Sequence, residues 1–295
     1  MTQPVRNLWL FLILFWFGLN ESHAATTCVQ DDLNQPVCVK QAQRILVLAP
    51  HLTEIVDFVG GLDRVIAVDG SSNFPVAVNS LPKLPNPWVL GAESILARKP
   101  DLVLVWQSGI SADVVVQLRK AGVPVFVSEP KTIEQVATTM QRLALLLGTQ
   151  NTTNPKVDQW LARFDQLRTR FKGRAAVSVF YQVWRQPLMT LGGQHVVSEV
   201  IGLCGGRNVF SYLPNLAAQV SLEGVLKRNP AVLLSSGSLE DHRALLKQWA
   251  PWPELAAVQR GHVYTVPNDL LVRNGPRLID AAEQVCDYIE QARGQ

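Results

Sequence analysis

Four groups of residues in this 295-residue chain have the types and spacing to do chemistry. The first is His51 and Glu54 in "HLTE". An imidazole and a carboxylate three residues apart can bind a metal ion; the commoner use of that pattern is a helix-capping arrangement. The second group is a matched pair of carboxylates. Residues 92–106 read "AESILARKPDLVLVW", residues 222–236 read "LEGVLKRNPAVLLSS", and the two align without a gap at an offset of 130. Each has Glu in second place (Glu93 and Glu223), Arg in seventh, Pro in ninth and then an apolar, strand-like tail. An early Glu favours the helix dipole, and two in matched surroundings also make two equal acidic points. The third group is aromatic. "DLVLVW" ends in Trp106, and "VSVFYQVW" ends with Tyr181, Gln182 and Trp184. Such side chains give broad flat contact plus one polar handle, which suits a large, flat, partly polar ligand. The fourth is Asp269 and Arg273, four apart in "PNDLLVRNGPR". They could hydrogen-bond polar groups on a ligand rim or close on each other as a surface ion pair.

Enzymatic signatures are thin. The first strand is not followed by GxGxxG, and neither GxxxxGK[ST] nor GxSxG occurs. We assign no catalytic residue and no intrinsic cofactor. The four cysteines, Cys28, Cys38, Cys204 and Cys286, form no CxxC and have no His or Cys at ligand spacing, which argues against a cysteine-bound metal. An even number fits two disulfides, with three possible pairings. Cys28 and Cys38 flank "VQDDLNQPV", which reads as a small hairpin and makes a local bridge natural; Cys204 would then join Cys286. A net charge of +3 with no basic stripe leaves no electrostatic footprint for nucleic acid.

The elements that must position these residues alternate. "RILVLAP", "RVIAVD", "DLVLVW" and "PVFVSE" read as strands. Between and after them "TEIVDFVGG", "SADVVVQLRKAG" and "TIEQVATTMQRLALLLG" read as helices, the first with Thr53 as its N-cap. Near-continuous apolar strands between helices mean a parallel sheet covered on both faces. In "NPKVDQWLARFDQLRTRFKGR" the apolar residues Val157, Trp160, Leu161, Phe164, Leu167 and Phe171 mark one face of a single long helix. Pro155 suits its first turn and Gly173 its end. The α/β pattern then restarts and closes on the helix "PRLIDAAEQVCDYIEQA". The expected fold is α/β, two Rossmann-like lobes with mostly parallel sheets joined by one long rigid helix. The expected parts are a leader at 1–24, an N-terminal lobe at 25–150, the interlobe helix at 151–173 and a C-terminal lobe at 174–295. The leader reads as a secretory signal peptide: Arg6, an apolar core from Leu8 to Leu19, and Ser22 and Ala24 at the cleavage positions. That run falls short of the about 20 residues of a membrane span. "ATTC" at Cys28 lacks the Leu of a lipidation signal. The mature protein is expected to begin near Ala25, outside the cytoplasm.

The strings "RILVLAPHLTEIVDFVG", "LARKPDLVLVWQSG", "GVPVFVSEPKTIEQVATTMQRLALLLG" and "VFYQVWRQPLMTLGG…LCGGRNVF" carry a resemblance. From about residue 43 to 291 the chain resembles the periplasmic cobalamin (vitamin B12)-binding proteins of ABC importers, within the class III, helical-backbone superfamily of solute-binding proteins. The resemblance implies a two-lobed clamshell, a corrinoid as transported ligand in the cleft, and no catalytic activity. It also implies delivery to a permease dimer in the inner membrane with its cytoplasmic ATPase, and a monomer when free. Glu93 and Glu223 match the two exposed carboxylates that meet permease arginines. Asp269 and Arg273 match polar ligand contacts, and Trp106 an aromatic of the cleft. A ligand-stacking Tyr of the family aligns with Ser71, with Phe74 nearby as a substitute. A family Trp aligns with Pro87 or, shifted by one, Trp88; another falls at Ala217, and Leu270 stands where an aromatic is usual. With Tyr181 and Trp184 these make the candidate ligand set. The departures leave a related corrinoid, haem or an iron-siderophore open as ligand. A secreted metal-binding protein or enzyme using His51 and Glu54 is the other reading.

Overall fold

Short strands rich in Val, Leu and Ile can be buried on both faces only if helices cover both, and that constraint builds each half of the chain. A computed structural model describes residues 25–294; the expected leader lies outside the described residues. The chain opens with a hairpin, β1 (Thr27–Gln30) and β2 (Pro36–Val39), in which Cys28 lies directly opposite Cys38 and is bridged to it. Next come β3 (Ile45–Leu48), α1 (Pro50–Phe58), β4 (Val65–Asp69), β5 (Lys83–Leu84), α2 (Ala92–Leu96), β6 (Leu102–Trp106), α3 (Ala112–Lys120), β7 (Val125–Ser128) and α4 (Ile133–Leu147). The five strands of this first lobe pair in parallel in the order β5-β4-β3-β6-β7.

The long helix α5 (Gln150–Phe171) leads to the second lobe. That lobe contains β8 (Val177–Gln182), β9 (Met189–Leu191), α6 (Val196–Leu203), β10 (Gly206–Asn208), β11 (Ala217–Gln219), α7 (Leu222–Arg228), β12 (Val232–Ser236), α8 (Leu239–Trp249), α9 (Ala256–Gln259), β13 (Val263–Val266), α10 (Asn268–Leu271) and α11 (Leu278–Arg293). Its parallel sheet runs β10-β8-β12-β13, with β9 and β11 as a separate antiparallel ladder. A second disulfide ties Cys204, the C-cap of α6, to Cys286 on α11 and closes a separation of 82 residues.

The repeat seen in the sequence is a repeat in space. α2 and α7 lead into β6 and β12 through the same break. Lys99 and Asn229 both take a left-handed backbone, at φ 51° and 41°, each just before a proline that cannot continue a helix. Arg98 donates to the Ser94 carbonyl at 2.7 Å and Arg228 to the Gly224 carbonyl at 2.8 Å, the same bond at the same offset.

The apolar face of α5 lies between the lobes. Val157, Trp160, Phe164, Leu167 and Phe171 join one continuous core with α1 and α4 on one side and with β8, α6 and α11 on the other. Two smaller cores fill the outer layers, beneath α2 and α3 and beneath α7 and α8. Because the inner layers share one core, hinge motion would expose packed apolar surface, which opposes large opening. Pro155 does not fall in the first turn as expected. Helix α5 begins at Gln150, so Pro155 is interior and the helix forgoes the one backbone bond its ring nitrogen cannot donate.

His195 caps α6 by accepting the Val197 N–H on Nδ1 at 3.1 Å, which requires that nitrogen to be unprotonated. Burial pushes the pKa of His195 down to about 4; burial, then the charge of Arg273, does the same to His51. Unfolded histidine titrates near 6.5, so below about that pH the unfolded chain takes up protons that the folded chain refuses. Stability present above about pH 6.5 should therefore fall as pH drops toward 4 and level off below it. Chemical denaturation across that range measures the slope. His195→Asn keeps a capping acceptor and should remove about one proton from the slope; an unchanged slope would show that His195 is not linked to folding.

Candidate functional site

In open parallel sheets, ligands bind beyond the carboxyl ends of the strands, where the strand order reverses. The first lobe reverses between β3 and β6, the second between β8 and β12. His51, in the first turn of α1, and Trp106, the last residue of β6, flank the first of these points. Their rings meet edge to face with centroids 6.3 Å apart. The His51 Nε2 lies 3.4 Å from the Ser128 hydroxyl at the end of β7. At the second point the Tyr181 hydroxyl donates to Ser236 Oγ at 2.9 Å, and that hydroxyl donates to Asn268 Oδ1 at 3.0 Å.

Between these two points the lobes are locked by charge. Glu54 on α1 is 1% exposed at its side chain. It accepts from Arg277 Nε at 2.9 Å and Nη2 at 2.6 Å, and from Arg273 Nη1 at 3.1 Å. Arg273 also pairs with Asp269 at 2.9 Å and donates to Asn73 Oδ1 at 2.6 Å and to the Ser71 carbonyl at 3.3 Å. Asn73 in turn donates to Asp269 Oδ2 at 2.8 Å. The Phe74 ring lies 4.0 Å from the Arg277 guanidinium. Two carboxylates and two guanidiniums thus neutralise one another, which a buried charge requires. Nearby, Asn274 donates to the Pro130 carbonyl and the Trp160 indole to the Pro276 carbonyl, so the loop before α11 is fixed to the first lobe and to α5.

Several expectations change in this light. Thr53 is not an N-cap. That position is Ala49, with Pro50 in the first turn, and Thr53 Oγ1 bonds back to the Ala49 carbonyl at 3.1 Å. His51 and Glu54 cap nothing either; both are buried, because the second lobe covers the polar face of α1. Both oxygens of Glu54 are taken by arginines, so it is not free to share a metal with His51. Among the described residues no cluster of three or more His, Cys, Asp and Glu is placed to hold one. Asp269 lies on the single-turn helix α10. Its pair with Arg273 belongs to the interlobe lock and is not a self-contained surface bridge. Tyr181 does not present its ring to the cleft: it is 1% exposed, packed in the shared core, and burial raises its pKa to about 12. Ser71 points into its own turn, its N–H and hydroxyl both donating to Asp69 at 2.5 Å.

The exposed members of the set are Phe74, Trp88, Trp106 and Trp184, at 37%, 59%, 39% and 61%. Each of these four exposed side chains offers broad flat apolar surface to a partner. Glu93 and Glu223 are exposed in the first turns of α2 and α7, and neither makes an ion pair with a described residue. Sequence reasoning missed Asn73, Arg277, Ser128 and Ser236. Arg277 follows Arg273 by four residues in the same stretch, and that repeat of charge was the available signal.

Comparison with known proteins now defines the class. The sequence profile of the periplasmic binding protein family matches residues 45–270, and the chain belongs to that family. A vitamin B12-binding protein of Vibrio cholerae serotype O1 is 36% identical over 260 residues, covering 86% of this chain and 91% of the relative. The crystal structure of the periplasmic vitamin B12-binding protein BtuF of Vibrio cholerae superposes with a TM-score of 0.79 at 34% identity, over 86% of this chain and 99% of that one. A possible iron-binding, periplasmic solute-binding protein from Staphylococcus epidermidis superposes at 0.73 with 25% identity, over 84% and 99% of the two chains.

Removing Glu54 would leave two guanidiniums crowded without their shared partner. Glu54→Ala should lower the unfolding free energy by about 3 to 5 kcal/mol, the usual result of breaking a buried pair from one side. Denaturant titration measures it; a loss under about 1 kcal/mol would mean that water already screens the lock.

Proposed function

We propose that this protein captures cobalamin or a related corrinoid in the cleft between its lobes and delivers it to an ABC-type permease dimer in the inner membrane. It acts in the periplasm after removal of its leader and carries out no chemistry on its cargo. The observation that carries this reading is the relative named a vitamin B12-binding protein, 36% identical across 86% of the chain. The site supports it in kind: the exposed aromatics Trp106, Phe74, Trp88 and Trp184 offer flat apolar contact, and Asp269, 35% exposed at its side chain, offers polar contact on the rim while Arg273 is held in the lock. The likeness to a possible iron-binding protein leaves room for a second reading, in which the cargo is an iron chelate such as haem or an iron-siderophore. On either reading the free protein is a monomer with no role for nucleic acid.

Titration of tryptophan fluorescence separates these readings. One equivalent of cyanocobalamin should quench emission to saturation, with Trp106→Leu weakening binding by about tenfold or more. Saturation by haemin or a ferric siderophore, with no response to cobalamin or cobinamide, would replace the first reading by the second.

Glu93 and Glu223 are the proposed docking points. They are free, exposed and matched in the two lobes, as two equal basic sites on a symmetric permease require. Glu93→Ala with Glu223→Ala should leave ligand affinity unchanged and lower corrinoid uptake in cells carrying the permease. Uptake equal to wild type would remove the docking role.

A further inference from the structure

Trp106 is held in place to a degree that its exposure does not require. The side of its indole that carries Cε3 and Cδ2 rests on Gly109. A Cβ at Gly109 would stand 2.6 Å from Cε3 and 3.3 Å from Cδ2. Gly109 does not adopt the left-handed backbone seen at several other glycines, so what the position requires is space. The turn that carries it, residues 107–109, is pinned by Glu129. One carboxylate oxygen of Glu129 accepts from the Ser108 N–H at 2.9 Å and from the Ser108 hydroxyl at 2.7 Å. Glu129 is itself anchored, since its N–H donates to Asp32 Oδ2 at 2.5 Å in the disulfide-closed hairpin. His51 supplies the third brace, edge to face.

We propose that Gly109 and Glu129 are positioning residues that hold the Trp106 indole as a fixed platform for the flat face of the ligand. The inference rests on the reading of Trp106 as a ligand-contacting aromatic of the cleft. A free indole on a surface loop loses rotamer freedom when a ligand stacks on it, whereas a braced one has lost that freedom on folding. The braces also fix the plane of the ring, which favours an extended planar chelate over a small or bent solute. Neither Gly109 nor Glu129 need touch the ligand.

The test is a double-mutant cycle on the full mature protein with cyanocobalamin as probe. Gly109→Ala and Glu129→Ala, which removes both bonds to Ser108, should each weaken binding by about tenfold. Neither should weaken it further in a Trp106→Leu background, where no platform is left to position. Ser108→Ala, which removes one of the two bonds to Glu129, should fall between wild type and Glu129→Ala. Fluorine NMR of fluorotryptophan-labelled protein gives a readout that a general structural role would not move. The Trp106 resonance, assigned by its loss in Trp106→Leu, should shift or broaden in Gly109→Ala while the other tryptophan resonances stay put. Should Gly109→Ala fail to fold, Glu129→Ala and Ser108→Ala carry the same cycle. Losses that persist in full without Trp106, or single variants that bind like wild type, overturn the positioning roles and leave the proposed function standing. A wild-type protein that binds neither cobalamin, cobinamide nor haemin overturns the proposed function and the platform with it.

Discussion

Glu54 gives the molecule its interlobe geometry. Its carboxylate comes from α1 of one lobe, and the guanidiniums of Arg273 and Arg277 come from the segment before α11 of the other. An ion removed from water must be matched at close range by opposite charge and by hydrogen bonds, and neither lobe alone can do that for Glu54. The requirement is directional: a bidentate guanidinium fixes distance and plane together. Asn73, Asp269 and Phe74 are then arranged around Arg273 and Arg277. The mouth of the cleft is therefore organised by the same charges that hold its two walls together.

The second determinant is apolar. The core along α5 is continuous from the first lobe into the second, so the halves are packed against a common helix as well as locked by charge. Opening would cost buried surface at one end of the interface and desolvated charge at the other. A carrier built this way recognises its cargo with walls that are already in place. The proposed Trp106 platform, resting on Gly109 and tied through Glu129 to the disulfide hairpin, would be a local instance of the same preorganisation.

The two lobes repeat one design, and the repeat places its differences where they matter. The offset of 130 residues that aligns Glu93 with Glu223 and Lys99 with Asn229 also aligns Trp106 with Ser236. Equal carboxylates stand at the starts of the paired helices, and unequal residues stand at the ends of the paired strands. On the proposed function, the equal carboxylates correspond to two equal partner sites and the unequal strand ends to one unsymmetrical cargo.

The amino-acid sequence alone determined what depends on local pattern. The alternation of strands and helices, the apolar face of α5, the repeated Glu-led helices and the disulfide hairpin were legible because periodicity and spacing act over a few residues, and the family resemblance because whole strings of residues carry it. What required the tertiary structure was every assignment that depends on what lies opposite. The pattern around α1 is that of an amphipathic helix with a solvated polar face, and only the second lobe turns that face into a buried one and Glu54 into a lock. Tyr181 reads as a strand-end aromatic open to ligand, yet its neighbours Ser236 and the shared core close over it. Asn73, Gly109 and Glu129 carry no local signal of their roles, and Arg277 only the repeat of charge after Arg273, since each acts on a residue remote in the chain or through the absence of a side chain. Partners separated by about 200 residues, as Asn73 and Arg273 are, meet only when two lobes fold and dock, and charge burial depends on that meeting.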